Sequence, residues 1–200
     1  MKLIIESDKM KDYLKEVPPV IQFDTPLIQK EIKAITSQTD SLKERARLAF
    51  EFARDEIHHS FDSEQCKLVT INAEDAIEKK EGICFAKSHV LASLLRGMGI
   101  PTGFCYQRKN NPKAGFVLHG LNAIYLNDTG WFRVDPRGNK PGIDSEFSTE
   151  TEKLAYSIDP SKGEVDYPNV FPEPLPNVIT AMQHSANVSE LFYNRPESIE

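Results

Sequence analysis

Glu81-Gly82-Ile83-Cys84-Phe85-Ala86-Lys87-Ser88-His89 is the stretch whose reading decides the fold. It puts a thiol just after a glycine turn, at the start of a segment whose apolar positions (Phe85, Val90, Leu91, Leu94, Leu95, Met98) recur with helical spacing. Gly97-Met98-Gly99-Ile100-Pro101 then ends helical geometry. The exposed N–H groups and dipole of a helix N-terminus favour the thiolate, which is the reactive form of cysteine. Cys84 therefore reads as a nucleophile rather than as a packing residue.

Upstream of this helix the pattern is helical. Pro26 is placed for the first turn of a helix through Leu27, Ile28, Ile32 and Ile35, and Asp40 or Ser41 can cap a second through Leu42, Ala46, Ala49, Phe50, Ala53 and Ile57. Residues 58–72 read as loop, with a short helix starting near Asp75. Downstream the period changes to that of strands, over Gly103 to Gln107, Gly115 to Leu126 and Trp131 to Asp135, with Asn127-Asp128-Thr129-Gly130 as the turn joining the last two. The expected fold class is α+β, with helices followed by an antiparallel sheet. Three parts are expected: an arm and first helix over 1–40, a core over 41–140, and a proline-rich tail over 141–200 that ends in a helix around Asn177 to Phe192 and wraps the core.

Composition narrows the function. With 200 residues, 40% of them hydrophobic and 27% charged, the chain can bury a real core. A net charge of −6 argues against nucleic acid or anionic membrane as partners, since both select for basic surface. No run approaches a membrane span, and Leu3-Ile4-Ile5 before Glu6 is too short for a signal-peptide core, so a cytoplasmic location is expected. Three cysteines, Cys66, Cys84 and Cys105, make a disulfide framework improbable and reduced thiols the default.

A nucleophilic thiol needs a base and a group to orient it. On the second strand His119 shares a face with Leu121, Ala123 and Tyr125; on the third, Trp131, Arg133 and Asp135 share one, so a hairpin can make neighbours of His119 and Asp135. In this arrangement Cys84 attacks a carbonyl, His119 takes and returns the proton, and Asp135 fixes the imidazole tautomer. His89 lies about 140° around the helix from Cys84 and is not placed to be its base. Gly120, lacking a side chain, lets a substrate or the nucleophile's helix approach. The Cys84 N–H is one oxyanion donor, and Gln65, Asn72, His58 and His59 are candidates for the second. His58 and His59 match no structural zinc spacing, so neither metal nor cofactor is expected. Cys105, inside an apolar strand, reads as core. Arg133 and Arg137 read as partners of acidic residues, and Tyr106 and Gln107 as possible cleft neighbours.

Gly82-Ile83-Cys84-Phe85-Ala86, Leu94-Leu95-Arg96-Gly97-Met98-Gly99-Ile100-Pro101-Thr102, His119 on a strand, and Gly130-Trp131-Phe132-Arg133-Val134-Asp135-Pro136 together resemble the transglutaminase-like cysteine enzyme superfamily over about residues 45–138. The resemblance implies a papain-like fold, with the nucleophile's helix packed on an antiparallel sheet that carries His and Asp. It also implies Cys84, His119 and Asp135 as the triad. Many members carry Ala-Trp after the histidine, where this chain has Gly120-Leu121, which leaves Trp131 as the only tryptophan available to wall a cleft. The implied activity is acyl transfer from an amide through a thioester to an amine or to water, on a peptide, protein or small amide. The alternatives are a cysteine peptidase or amidase, and an inactive peptide-binding domain of the same fold. The oligomeric state is open.

Overall fold

The computed structural model describes residues 1–62 and 67–200. The two expected N-terminal helices are α1 (Pro26–Thr36) and α2 (Leu42–Glu51). Pro26 occupies the first turn of α1, and Ile28, Ile32 and Ile35 form its buried stripe. Ser41 caps α2 by accepting from the Glu44 N–H at 3.3 Å. The helix does not run unbroken to Ile57: residues Phe52–Glu56 widen into a π-helical turn. Next come α3 (Ala73–Lys79) and α4 (Cys84–Gly97). Every residue of α4 from Cys84 to Arg96 is buried, so this helix is the axle of the fold. It stops where Gly99 takes a left-handed conformation, φ 76°.

Two short strands, β1 (Ile4–Ile5) and β2 (His58–His59), precede α3, and β3 (Glu81–Gly82) leads into α4. The sheet is built from β4 (Thr102–Asn111), β5 (Gly115–Leu126), β6 (Gly130–Val134) and β7 (Val165–Asp166), in the antiparallel order β6-β5-β4-β7. The first strand is thus longer than its apolar run suggested, because Arg108 to Asn111 continue pairing with Gly115 to Leu118. A further strand, β8 (Asn169–Val170), pairs in parallel with β1 and carries the tail back over the N-terminal arm.

One face of the sheet packs on α4 through Phe104, Leu118, Ile124 and Val134. On the other face, Cys105, Leu121 and Ala123 pack with Tyr13 and Val170. The single C-terminal helix expected from Asn177 to Phe192 is instead two, α5 (Pro176–His184) and α6 (Val188–Asn194). The break falls at Ser185, whose extended backbone ends α5, and Asn187 recaps the chain by accepting from the Glu190 N–H at 2.9 Å. The architecture is a mixed helix and sheet fold in which α4, with Cys84 at its head, lies on a curled antiparallel sheet.

Candidate active site

Three elements converge on the head of α4. Ile83 takes the extended cap conformation, which makes Cys84 the first helical residue and leaves its N–H without an intrahelical acceptor. The β2–β3 pairing sets His59 opposite Gly82, alongside this helix start. On the third side Phe85 presses on Gly120 of β5, where an added Cβ would stand 2.6 Å from Phe85 Cδ1. Glycine is required for that approach, and the approach brings the backbone N–H of Gly120 and the ring of His119 to the Cys84 sulfur.

His119 is held from its far side. Its Nε2 lies 2.8 Å from Asp135 Oδ2, and Asp135 is fully buried. The β5–β6 register pairs Asn122 with Val134, so Asp135, one residue further, reaches diagonally to His119. The carboxylate is fixed in turn: Oδ1 accepts from the Arg137 N–H at 3.0 Å and Oδ2 from the Ala155 N–H at 3.1 Å. With Nε2 committed to Asp135, Nδ1 is the nitrogen left for the thiol. Tyr156 stands edge-on to the His119 ring, 4.8 Å between centroids.

Electrostatics follow from this geometry. Burial alone would raise the Cys84 thiol pKa, but the charge of His119, a hydrogen bond to it and the Gly120 N–H outweigh burial and lower it. Burial likewise opposes the charged form of His119, yet the Asp135 and Cys84 charges hold its pKa well above the ordinary histidine value. The two shifts favour one state, thiolate beside imidazolium. His59 is the reverse case: burial, then the nearby Arg137 charge, keep it neutral. Its Nδ1 accepts from the Phe61 N–H at 3.3 Å, so the neutral ring carries its proton on Nε2 and is a donor there.

These groups line a cavity of about 330 Å³ that holds Cys84, His119, His59 and Tyr156. A neighbouring cavity of about 460 Å³ shares His59, Asp62, Arg137 and Lys140 with it and adds His58. The other residues singled out in the sequence are placed elsewhere or act differently. Asn72 is the cap of α3, accepting from the Asp75 N–H at 2.7 Å, and is a structural residue. Trp131 pairs with Tyr125 in the β5–β6 register and stacks on Tyr13 at 4.9 Å, away from the cavity. Gln65 and Cys66 lie outside the described residues. His89 gives Nδ1 to the Ile71 carbonyl at 2.7 Å and takes no part in the site. Tyr106 and Gln107 are buried, the hydroxyl of Tyr106 accepting from the Leu175 N–H and the amide of Gln107 meeting Asp166, rather than lining a cleft. Arg133 is paired with Glu152 and Asp166, and Arg137 with Asp62.

Sequence reasoning missed Tyr156, Phe192 and Arg195, all walls of the Cys84 cavity. All three come from the tail, and the only signal for them was that a proline-rich segment tends to wrap the domain it follows.

A family model described as the transglutaminase-like superfamily matches residues 30–136, more than half of the chain and a span that includes Cys84, His119 and Asp135. Among solved structures, a candidate cysteine protease from Cytophaga hutchinsonii aligns with a TM-score of 0.51 at 15% identity, over 66% of this chain and 43% of its own. The periplasmic domain of TgpA from Pseudomonas aeruginosa aligns at 0.47 and 16% identity, over 64% of this chain and 46% of its own. Red sea bream transglutaminase aligns at 0.41 and 11%, over 94% of this chain and 31% of its own. The chain therefore spans less than half the length of each of these structures. No curated protein sequence matches it. No helix among the described residues is long and apolar enough to cross a membrane.

Proposed function

This chain belongs to the transglutaminase-like superfamily, and from that premise we propose that it is a cysteine enzyme that moves an acyl group from an amide through a thioester on Cys84. The thiolate attacks the carbonyl carbon, and the Cys84 N–H with the Nε2–H of His59 receives the developing oxyanion. His119, protonated and held by Asp135, gives its proton to the leaving amine as the carbon–nitrogen bond breaks. Water or an amine then attacks the thioester, losing its proton to His119, and the thiolate is restored. The observation that carries this reading is the single line Cys84, His119, Asp135, with the thiol pKa lowered although the side chain is only 2% exposed. A thiol that must remain reduced suits a reducing compartment such as the cytoplasm.

Hydrolysis is the second reading, and it uses the same residues. The tail walls the cavity with Tyr156 and Phe192, which favours an acceptor that fills the site over free water. Incubation with p-nitrophenyl acetate tests both readings: a burst of p-nitrophenolate with an acetyl group on Cys84 by peptide mass is expected, lost in Cys84→Ala. Faster release of the acetyl group with added amine, and recovery of the acetylated amine, marks transfer; insensitivity to amine marks hydrolysis. No adduct on Cys84 would leave a peptide-binding domain.

A further inference from the structure

Among the described residues, four cations line the cavity of Cys84: Lys109, Arg137, Lys140 and Arg195. In a chain of net charge −6 this is a local reversal of sign. Three of the four have carboxylate partners. Lys109 meets Glu164 at 3.4 Å, and Arg137 and Lys140 both contact Asp62. Arg195 has none among the described residues. Its Nε donates to the Phe192 carbonyl at 3.2 Å, and its Nη2 is buried with no hydrogen-bond partner. A buried donor of a charged group left unpaired is costly and calls for an explanation.

The guanidinium is nevertheless held firmly. It stacks over the rings of Phe61 and Phe192, 4.8 Å from each centroid. Behind it the chain is pinned to the site, since the Leu118 N–H donates to the Pro196 carbonyl at 2.6 Å, one residue from His119. A held guanidinium whose Nη2 donor has no partner among the described residues, in the wall of the nucleophile's cavity, fits an anion.

Resting on the acyl-transfer reading, we propose that Arg195 binds a carboxylate of the acyl substrate, so that the preferred substrate is an acidic one whose scissile amide stands beside a free carboxylate, as in a peptide bearing Asp, Glu or its C-terminus there. The substrate supplies the partner that the described residues do not. Lys109 and Arg137 add field, and Arg195 adds the directed contact.

The probes are iodoacetate and iodoacetamide, which differ in carrying a carboxylate or a neutral amide and consume the same Cys84 thiolate. The ratio of their rates on the native protein is therefore independent of how much thiolate is present. In wild type this ratio should exceed that of free cysteine. It should fall about tenfold in Arg195→Gln and recover in part in Arg195→Lys, which restores charge but not the fork. A wild-type ratio no greater than that of free cysteine, or a ratio unchanged by Arg195→Gln, overturns the proposal. Should Arg195→Gln fail to fold, wild type decides: its iodoacetate rate should saturate and be suppressed by glutarate but not by glutaramide, and absence of both effects overturns the proposal. Inorganic phosphate protecting as well as glutarate overturns the carboxylate assignment in favour of a general anion site. If neither reagent labels Cys84 faster than Cys105, it is the acyl-transfer reading that fails.

Discussion

The head of α4 and the middle of β4 each bury a cysteine, and they treat it in opposite ways. Cys105, fully buried in the outer cluster with Tyr13, Leu121 and Val170, has its thiol pKa pushed up to about 12 by burial. Cys84, almost as buried, is moved the other way because His119 and the Gly120 N–H face its sulfur. Burial is the larger single influence at both sites. What separates them is whether a counter-charge and donors have been brought to the sulfur, and at α4 three packed elements do so.

Removing the counter-charge should erase the difference. His119→Ala is expected to slow acetylation of Cys84 by about a hundred- to ten-thousand-fold, the usual span for loss of a positioned acid–base group, while Cys105 stays inert. Burst kinetics with peptide mass reads both thiols at once, and a variant that keeps most of its Cys84 rate would break the comparison.

The packing that creates the difference can be tested separately. In Gly120→Ala the new Cβ meets Phe85 Cδ1 at 2.6 Å, so the buried Phe85 ring must give way, and the expected response is a lift of the head of α4 from β5. Overpacking of this kind costs about 1–3 kcal/mol, measurable by denaturant unfolding. The lift should also move the alkylation profile of Cys84 to higher pH; stability lost with an unmoved profile would show that the α4–β5 contact does not tune the thiol.

Cys105→Ala sharpens the contrast from the other side. It should lower stability by roughly 1 kcal/mol, an average cost for a core change, and leave the Cys84 labelling rate untouched. The smallest effect is expected of Tyr156→Phe. This change removes the hydroxyl that accepts from Arg137 Nε at 3.1 Å and keeps the ring against His119. A fall of no more than about fivefold in acetylation rate corresponds to one net hydrogen bond.

What was legible in the sequence divides along the same line. The α+β class, α4 and the β5–β6 hairpin followed from period and turn chemistry, because those residues act on near neighbours. Cys84, His119 and Asp135 could be named together since a helix start and a hairpin fix each of them locally. His59 was visible only as one of several donors; the β2–β3 pairing that sets it opposite Gly82 is a two-residue contact with no pattern to announce it. Trp131 was misplaced for a physical reason: its register partner is Tyr125, at the end of the hairpin remote from His119. Arg195 carries no motif at all, and its position depends on a tail carbonyl meeting the Leu118 N–H across most of the chain's second half.

The central claim is a thiolate–imidazolium pair at the head of α4, and the pH profile of Cys84 alkylation tests it most directly. Because the thiol pKa is lowered and the imidazole pKa raised, the ion pair exists in the pH interval between them and is lost as the sulfur protonates on the acid side. Iodoacetamide should therefore label Cys84 below the free-thiol value of about 8.5, with a shift to higher pH in His119→Ala. A profile that rises only above that value, parallel to Cys105 and indifferent to His119, would contradict the account.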